Sequence, residues 1–345
     1  MTLMLEEIRQ QPEILRRLVG EEIGNAQALC KAMKDRGIEY VSICARGTSD
    51  NAATLAKYLL EITAGVPVSL TASSVFNLYD AKMDLSKWLL LGISQSGEST
   101  DVVEVVRRAK KLGALTAGIT NIENSTLAKE SDYALFTRAG EEKSVAATKT
   151  YTSTMAIIYL LASVMSGDEN LAAKVSSAAD AIESVFGMGD YIERVVERYR
   201  YMDECMVIAR GINQATCQEA ALKLAETCYI VAKPYSAADV QHGPIATVDE
   251  GFPVFLYAPP GKAYQSMLEL SDKMRDNGAE MIIISTEDEI LSRAKTPIKI
   301  PVEVDEIQSP LVYIVAGQLF AQYLSLTKGY NPDHPRHLSK VTKTM

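Results

Sequence analysis

A tripeptide that recurs in one setting constrains the fold of this chain more than any other feature. Ala45-Arg46-Gly47 follows the apolar run Tyr40-Val41-Ser42-Ile43-Cys44, and Ala209-Arg210-Gly211 follows Met206-Val207-Ile208. The same offset carries Gly97, beyond Leu89-Leu90-Leu91-Gly92-Ile93, onto Gly261, beyond Val254-Phe255-Leu256-Tyr257. One residue more carries Leu112-Gly113-Ala114 onto Asn277-Gly278-Ala279, each before another apolar run (Leu115 to Thr120; Met281 to Ser285). A tripeptide match alone is weak. Three matched breaks in one order mark two copies of one unit, in which short apolar runs alternate with stretches of helical periodicity. The pattern predicts an α/β fold of two tandem subdomains, each a doubly wound parallel sheet flanked by helices.

A length of 345 residues fits two domains. The expected division is 1–167 (N-terminal helices and first subdomain), 168–330 (linking helix and second subdomain) and a polar C-terminal tail, 331–345. The tail is too short to be a domain, yet it holds Arg336, Lys340 and two of the three histidines. The uncharged runs from Thr150 to Gly167 and from Ile307 to Thr327 contain Ser, Thr, Pro, Gly and Gln, and read as helices buried in a core rather than membrane spans. Glu6, Glu7 and Arg9 argue against a signal peptide. A net charge of −9 argues against a nucleic-acid partner and against adhesion to anionic membranes. Five scattered cysteines with no C-x-x-C fit reduced thiols, hence a cytoplasmic location. Three histidines without a carboxylate at ligand spacing make a poor metal site, and no cofactor is implied.

Two loops carry chemistry. Gly47-Thr48-Ser49 and Ser94-Gln95-Ser96-Gly97-Glu98-Ser99-Thr100 each stand between an apolar run and a helical pattern. A strand–polar loop–helix order gathers hydroxyls and helix-terminal N–H groups around one small volume, which suits a phosphate. Neither loop is a G-x-x-x-x-G-K-[ST] or G-x-G-x-x-G nucleotide motif. The same composition also describes an ordinary Ser/Thr N-cap. The second copy replaces these loops with Ile212-Asn213-Gln214 and Pro260-Gly261-Lys262, so only the first is expected to hold the phosphate.

In the second copy, Glu219, Lys223 and Glu226 fall on one face of a helical segment. A solvated salt-bridge stripe explains that spacing as well as a site does. His242 precedes Gly243-Pro244, a turn that would hold an imidazole at a loop tip, although a lone histidine is more often structural.

Taken in order, these motifs resemble the SIS (sugar isomerase) family. They are Gly47-Thr48-Ser49, Ser94 to Ser99, Val145-Ala146-Ala147-Thr148-Lys149, Glu219 to Glu226, His242-Gly243-Pro244 and Pro335-Arg336-His337-Leu338-Ser339-Lys340. Within that family the chain resembles the isomerase half of glucosamine-6-phosphate synthases and the stand-alone SIS-type glucosamine-6-phosphate deaminases. The resemblance implies a hexose 6-phosphate substrate, with Gly47, Thr48, Ser49, Ser94, Gln95, Ser96 and Ser99 on the phosphate and sugar hydroxyls and the Val145 backbone on the sugar. It makes Glu226 the group that moves a proton between C1 and C2. Lys223 would sit beside it, holding it ionised or binding a hydroxyl. His242 would open the ring from the partner subunit of a homodimer. Lys340 would approach the carbonyl carbon as amine or Schiff-base former, in a tail folded over the active site. These roles suit the residue types: a carboxylate for proton abstraction, an imidazole for proton exchange near neutrality, an amine for a carbonyl.

The chain departs from the synthases in places. It begins Met1-Thr2-Leu3-Met4 and enters the isomerase part at once, so it is not expected to take ammonia from glutamine itself. Ala147 stands where the synthases have serine, and Asp239 replaces a glutamate. The ending Lys340-Val341-Thr342-Lys343-Thr344-Met345 is closer to the stand-alone enzymes. The expected reaction is glucosamine 6-phosphate plus water to fructose 6-phosphate plus ammonia. The alternatives are a fructosamine-6-phosphate deglycase and a non-catalytic sugar-phosphate sensor.

Overall fold

The computed structural model describes residues 1–338 and Lys340; Ser339 and residues 341–345 of the expected tail lie outside the described residues. It contains two five-stranded sheets in which every pairing is parallel. The first has β1 (Tyr40–Cys44), β2 (Val68–Leu70), β3 (Trp88–Ile93), β4 (Leu115–Thr120) and β5 (Tyr133–Phe136), in the order β2-β1-β3-β4-β5. The second has β6 (Glu204–Ala209), β7 (Val231–Ser236), β8 (Pro253–Tyr257), β9 (Glu280–Ser285) and β10 (Thr296–Lys299), in the order β10-β9-β8-β6-β7. Replacing each strand of the first sheet by its counterpart gives the second order. The repeat therefore extends from punctuation to topology, and both doubly wound sheets are as expected.

The chain divides into two compact units. One holds the first sheet and comprises Glu13–Glu142, Lys149–Ser177 and, of the described tail residues, Leu338 and Lys340. The other holds the second sheet and comprises Met1–Pro12, Lys143–Thr148 and Ala178–His337.

In the first-sheet unit, the helix Thr100–Lys111 places Val102, Val103, Val105, Val106 and Ala109 on its buried face, against Cys44, Leu90 and Leu127. Burying each of the four valines contributes about 1.5–3 kcal/mol, and Arg108, Lys110 and Lys111 in the last turn interact favourably with the helix dipole. The helix Lys149–Ser166 is buried from Lys149 through Ser163. In the second-sheet unit, the helix Ser309–Thr327 is buried from Ser309 through Ser325. These are the two uncharged runs, and among the described residues no helix is long and apolar enough to cross a membrane.

The start and end of the chain meet within the second-sheet unit. Asp333 accepts from the amides of Leu3 and Met4 at 2.9 and 2.8 Å, so its carboxylate caps the helix Leu3–Arg9. The Arg336 guanidinium lies 4.0 Å from the Tyr229 ring centre, and its amide donates to the Tyr229 hydroxyl at 2.9 Å. The tail is thus tied down as far as Arg336.

Candidate functional site

Open α/β sheets bind ligands where adjacent strands send their connections in opposite directions. In the first sheet that switch lies between β1 and β3, which pair with Cys44 opposite Gly92. The two hydroxyl-rich loops leave these two strands. The structure therefore brings Gly47, Thr48, Ser49, Ser94, Gln95, Ser96 and Ser99 to one switch point.

The second loop is fixed by its own backbone. The Ser94 amide donates to Ile119 O at 3.0 Å, Asn121 N to Gln95 O at 3.0 Å and Leu127 N to Gly97 O at 2.9 Å. Gly97 has φ +65°, and a Cβ there would stand 2.2 Å from Ser125 Oγ. Only glycine fits. The Ser94 hydroxyl accepts from Gly97 N at 3.2 Å and the Ser96 hydroxyl from Glu98 N at 3.2 Å. A hydroxyl oxygen that accepts a backbone N–H keeps its own O–H as a donor for another group. Ser99 is the N-cap of the helix Thr100–Lys111, yet its side chain makes no capping hydrogen bond; Gly47, the N-cap of the helix Thr48–Thr63, has no side chain to make one. Neither N-cap residue thus caps its helix through a side chain, and a helix N-terminus is a place where an anion is favoured.

A polar clamp the sequence did not disclose braces this crest. Arg46 donates to Asp101 Oδ2 at 3.0 Å and to the Ser73 hydroxyl. Asn77 donates to Asp101 O at 3.2 Å. Asp101 is buried while Arg46 is half-exposed, so the clamp joins the β1 loop, the short helix Ser73–Asn77 and the helix Thr100–Lys111. Burial pushes the Asp50 carboxyl up, with the nearby Arg46 charge opposing it. The repeated Ala-Arg-Gly was the available signal for Arg46; nothing local marked Ser73 or Asp101.

The same crest in the second sheet is filled from within. The Glu306 carboxylate accepts from Lys262 N at 2.8 Å and Ala263 N at 3.2 Å, at the start of the helix Tyr264–Asp276. Gly261 has φ +136°, and a Cβ there would lie 2.5 Å from Glu306 Oε2. Here the chain's own anion stands at the helix start.

The second-sheet unit holds the acid–base candidates. The helix Gln214–Cys228 packs on the buried helix Ser309–Thr327, with Ser325 Oγ donating to Thr227 O at 2.9 Å. Lys223 Nζ stands 3.2 Å from Glu219 Oε1 and 2.5 Å from Glu226 Oε2. Side-chain exposure is 0% for Lys223 and Glu219 and 23% for Glu226, which rules out a solvated stripe. Burial opposes the charge on Lys223, but the two carboxylates outweigh it and hold the ammonium above the ordinary lysine range. Glu226 alone of the three reaches solvent. His242 is exposed at the end of a short 3-10 turn (Asp239–Gln241), with Gly243 at φ +124° behind it. Val145 is half-buried in a segment that Glu7 fixes by accepting from Ser144 N at 3.2 Å.

Lys340 belongs with the first-sheet unit, where its ammonium pairs with Glu142 Oε2 at 2.9 Å. The candidates thus fall into two sets: the hydroxyl loops and Lys340 in one unit, and Val145, Lys223, Glu226 and His242 in the other.

Comparison with known proteins follows the same repeat. The SIS domain pattern matches residues 27–164 and again 202–328. The chain is 34% identical over 341 residues to the isomerizing glutamine–fructose-6-phosphate aminotransferase of Aquifex aeolicus, covering 98% of this chain and 57% of that protein. It is 35% identical over 348 residues to the enzyme of the same description from Methanothermobacter thermautotrophicus, covering 98% and 56%. The chain therefore spans little more than half the length of these relatives. A Silicibacter pomeroyi structure, taken to be a phosphosugar isomerase, superimposes with a TM-score of 0.87 at 31% identity, over 96% of this chain and 100% of that one. Glucosamine-6-phosphate deaminase of Thermotoga maritima shares the fold, with a TM-score of 0.80 at 23% identity over 99% and 100%.

Proposed function

The chain belongs to the SIS domain family, and from that premise we propose that it is a phosphosugar isomerase acting as an aminosugar-phosphate deaminase. It converts glucosamine 6-phosphate and water to fructose 6-phosphate and ammonia. The observation that carries the reading is the buried Glu219–Lys223–Glu226 cluster, in which Glu226 alone reaches solvent. A carboxylate braced on a helix by a buried cation and open on one side suits proton abstraction beside a carbonyl. The hydroxyl loops that follow β1 and β3 supply donors for a 6-phosphate. The relatives named for fructose 6-phosphate and the structure taken to be a phosphosugar isomerase support the substrate class.

In this reading His242, supplied across a homodimer, moves a proton between the ring oxygen and the C1 hydroxyl and opens the sugar. Glu226 removes the C2 proton and returns it to C1, leaving a C2 imine. Water adds at that carbon, ammonia departs, and fructose 6-phosphate remains. Lys223 keeps Glu226 oriented, and Lys340 assists at the carbonyl carbon. Phosphate binding in the hydroxyl loops orients the reacting carbons.

The test is ammonia release from the purified chain given glucosamine 6-phosphate, with Glu226→Gln and Lys340→Ala beside it. Release coupled to fructose 6-phosphate and abolished in Glu226→Gln is expected. Saturable binding without turnover would overturn the deaminase and redirect the assay to fructosamine 6-phosphates, then to a sensor.

A further inference from the structure

Glu142 is a buried acid that the proposed reaction does not use. It lies between β5 and the helix Lys149–Ser166, with its side chain fully buried. Its Oε1 accepts from Thr150 N at 3.2 Å and its Oε2 from Thr150 Oγ1 at 2.6 Å. The carboxylate is therefore seated on the first turn of a long buried helix, where the helix dipole favours an anion. Its place is set by the helix. Lys340 comes from 198 residues away, keeps 26% of its side chain exposed, and reaches Glu142 Oε2 at 2.9 Å. One partner is built into a rigid element and the other arrives on the tail.

We propose that Glu142 is the positioning residue of Lys340: its helix-seated carboxylate captures the tail lysine's ammonium and fixes where that group stands during the reaction. The proposal rests on the reading of Lys340 as the residue that serves the sugar carbonyl. Glu142 need touch no substrate. It acts by removing the freedom of a long side chain on a terminal segment, and misplacement of such a group by about 1 Å is enough to cost about 100-fold in rate.

The experiment uses the full chain with Glu142→Gln, Glu142→Asp, Lys340→Ala and the Glu142→Gln/Lys340→Ala double variant. Circular dichroism first establishes that each folds. With glucosamine 6-phosphate, Glu142→Gln should lower kcat at least tenfold and leave KM within about twofold. The double variant should be no slower than Lys340→Ala alone, because the two residues act as one device. Glu142→Asp keeps the charge and should recover part of the rate. A kcat within twofold of wild type in Glu142→Gln, or an effect that multiplies with that of Lys340→Ala, would overturn the proposal.

A second readout separates this failure from failure of the assigned reaction. Trypsin must take the Lys340 ammonium to cut the Lys340–Val341 bond. Cleavage there should be at least fivefold faster in folded Glu142→Gln than in wild type, whether or not glucosamine 6-phosphate is the substrate. Equal cleavage rates would overturn the proposal outright.

Discussion

Replacing Lys223 by methionine should be among the most costly single changes in the second-sheet unit. Lys223 lies 3.2 Å from Glu219 and 2.5 Å from Glu226, and neither it nor Glu219 has any exposed side-chain surface. Lys223→Met keeps a long apolar side chain, so packing changes little. What it removes is the cation between two carboxylates, one of them fully buried. Removing one partner from a buried ion pair costs about 3–5 kcal/mol. The loss should depend on pH with a definite sign. Without Lys223, burial raises the folded-state pKa of Glu219 above its unfolded value, so the variant is penalised most at high pH and recovers as falling pH lets the carboxyl take a proton. The Glu219→Leu/Lys223→Met double variant removes both charges and should regain most of the loss, since apolar replacement of a buried pair is often close to neutral. The assay is guanidinium unfolding at pH 5 and pH 8, followed by circular dichroism for the whole chain. Fluorescence of Trp88, the single tryptophan, reports the first sheet and should shift less. A loss under 1 kcal/mol with no pH dependence, or a double variant no more stable than the single, would refute the buried-charge account.

Three further outcomes are expected. Gly97→Ala should lose about 1–2 kcal/mol for left-handed backbone and about 1–3 kcal/mol for overpacking against Ser125, and should weaken phosphosugar binding in a titration; unchanged affinity would separate the loop from the ligand. Glu306→Ala should destabilise by about 0.5–2 kcal/mol, as loss of a helix cap does, and leave phosphosugar affinity unchanged; lost affinity would show that the second crest serves the ligand. Arg198, donating to Glu280 at 2.6 and 2.9 Å, holds that carboxyl below its ordinary range. A lowered folded-state value stabilises above the unfolded pKa of about 4.3 and fades as pH falls through the folded value. The Tm difference between wild type and Glu280→Gln should therefore shrink below about pH 4; an equal difference at pH 3 and pH 7 would refute it.

The sequence by itself determined the two parallel sheets, the buried character of the two uncharged helices and the placing of hydroxyl loops after β1 and β3. Those features rest on periodicity and turn chemistry, which operate within a window of a dozen residues. Tertiary structure decided the electrostatics. The spacing of Glu219, Lys223 and Glu226 describes a solvated face and a buried cluster equally well, and packing under the helix Ser309–Thr327 selects the second. Arg46 meets Asp101, Glu306 fills the second crest, and Lys340 finds Glu142 across 198 residues. No local pattern carries such pairings. They depend on which chain segments the fold brings together and on how much water it removes around them, and desolvation sets the energy of a charge far more than its neighbours in sequence do.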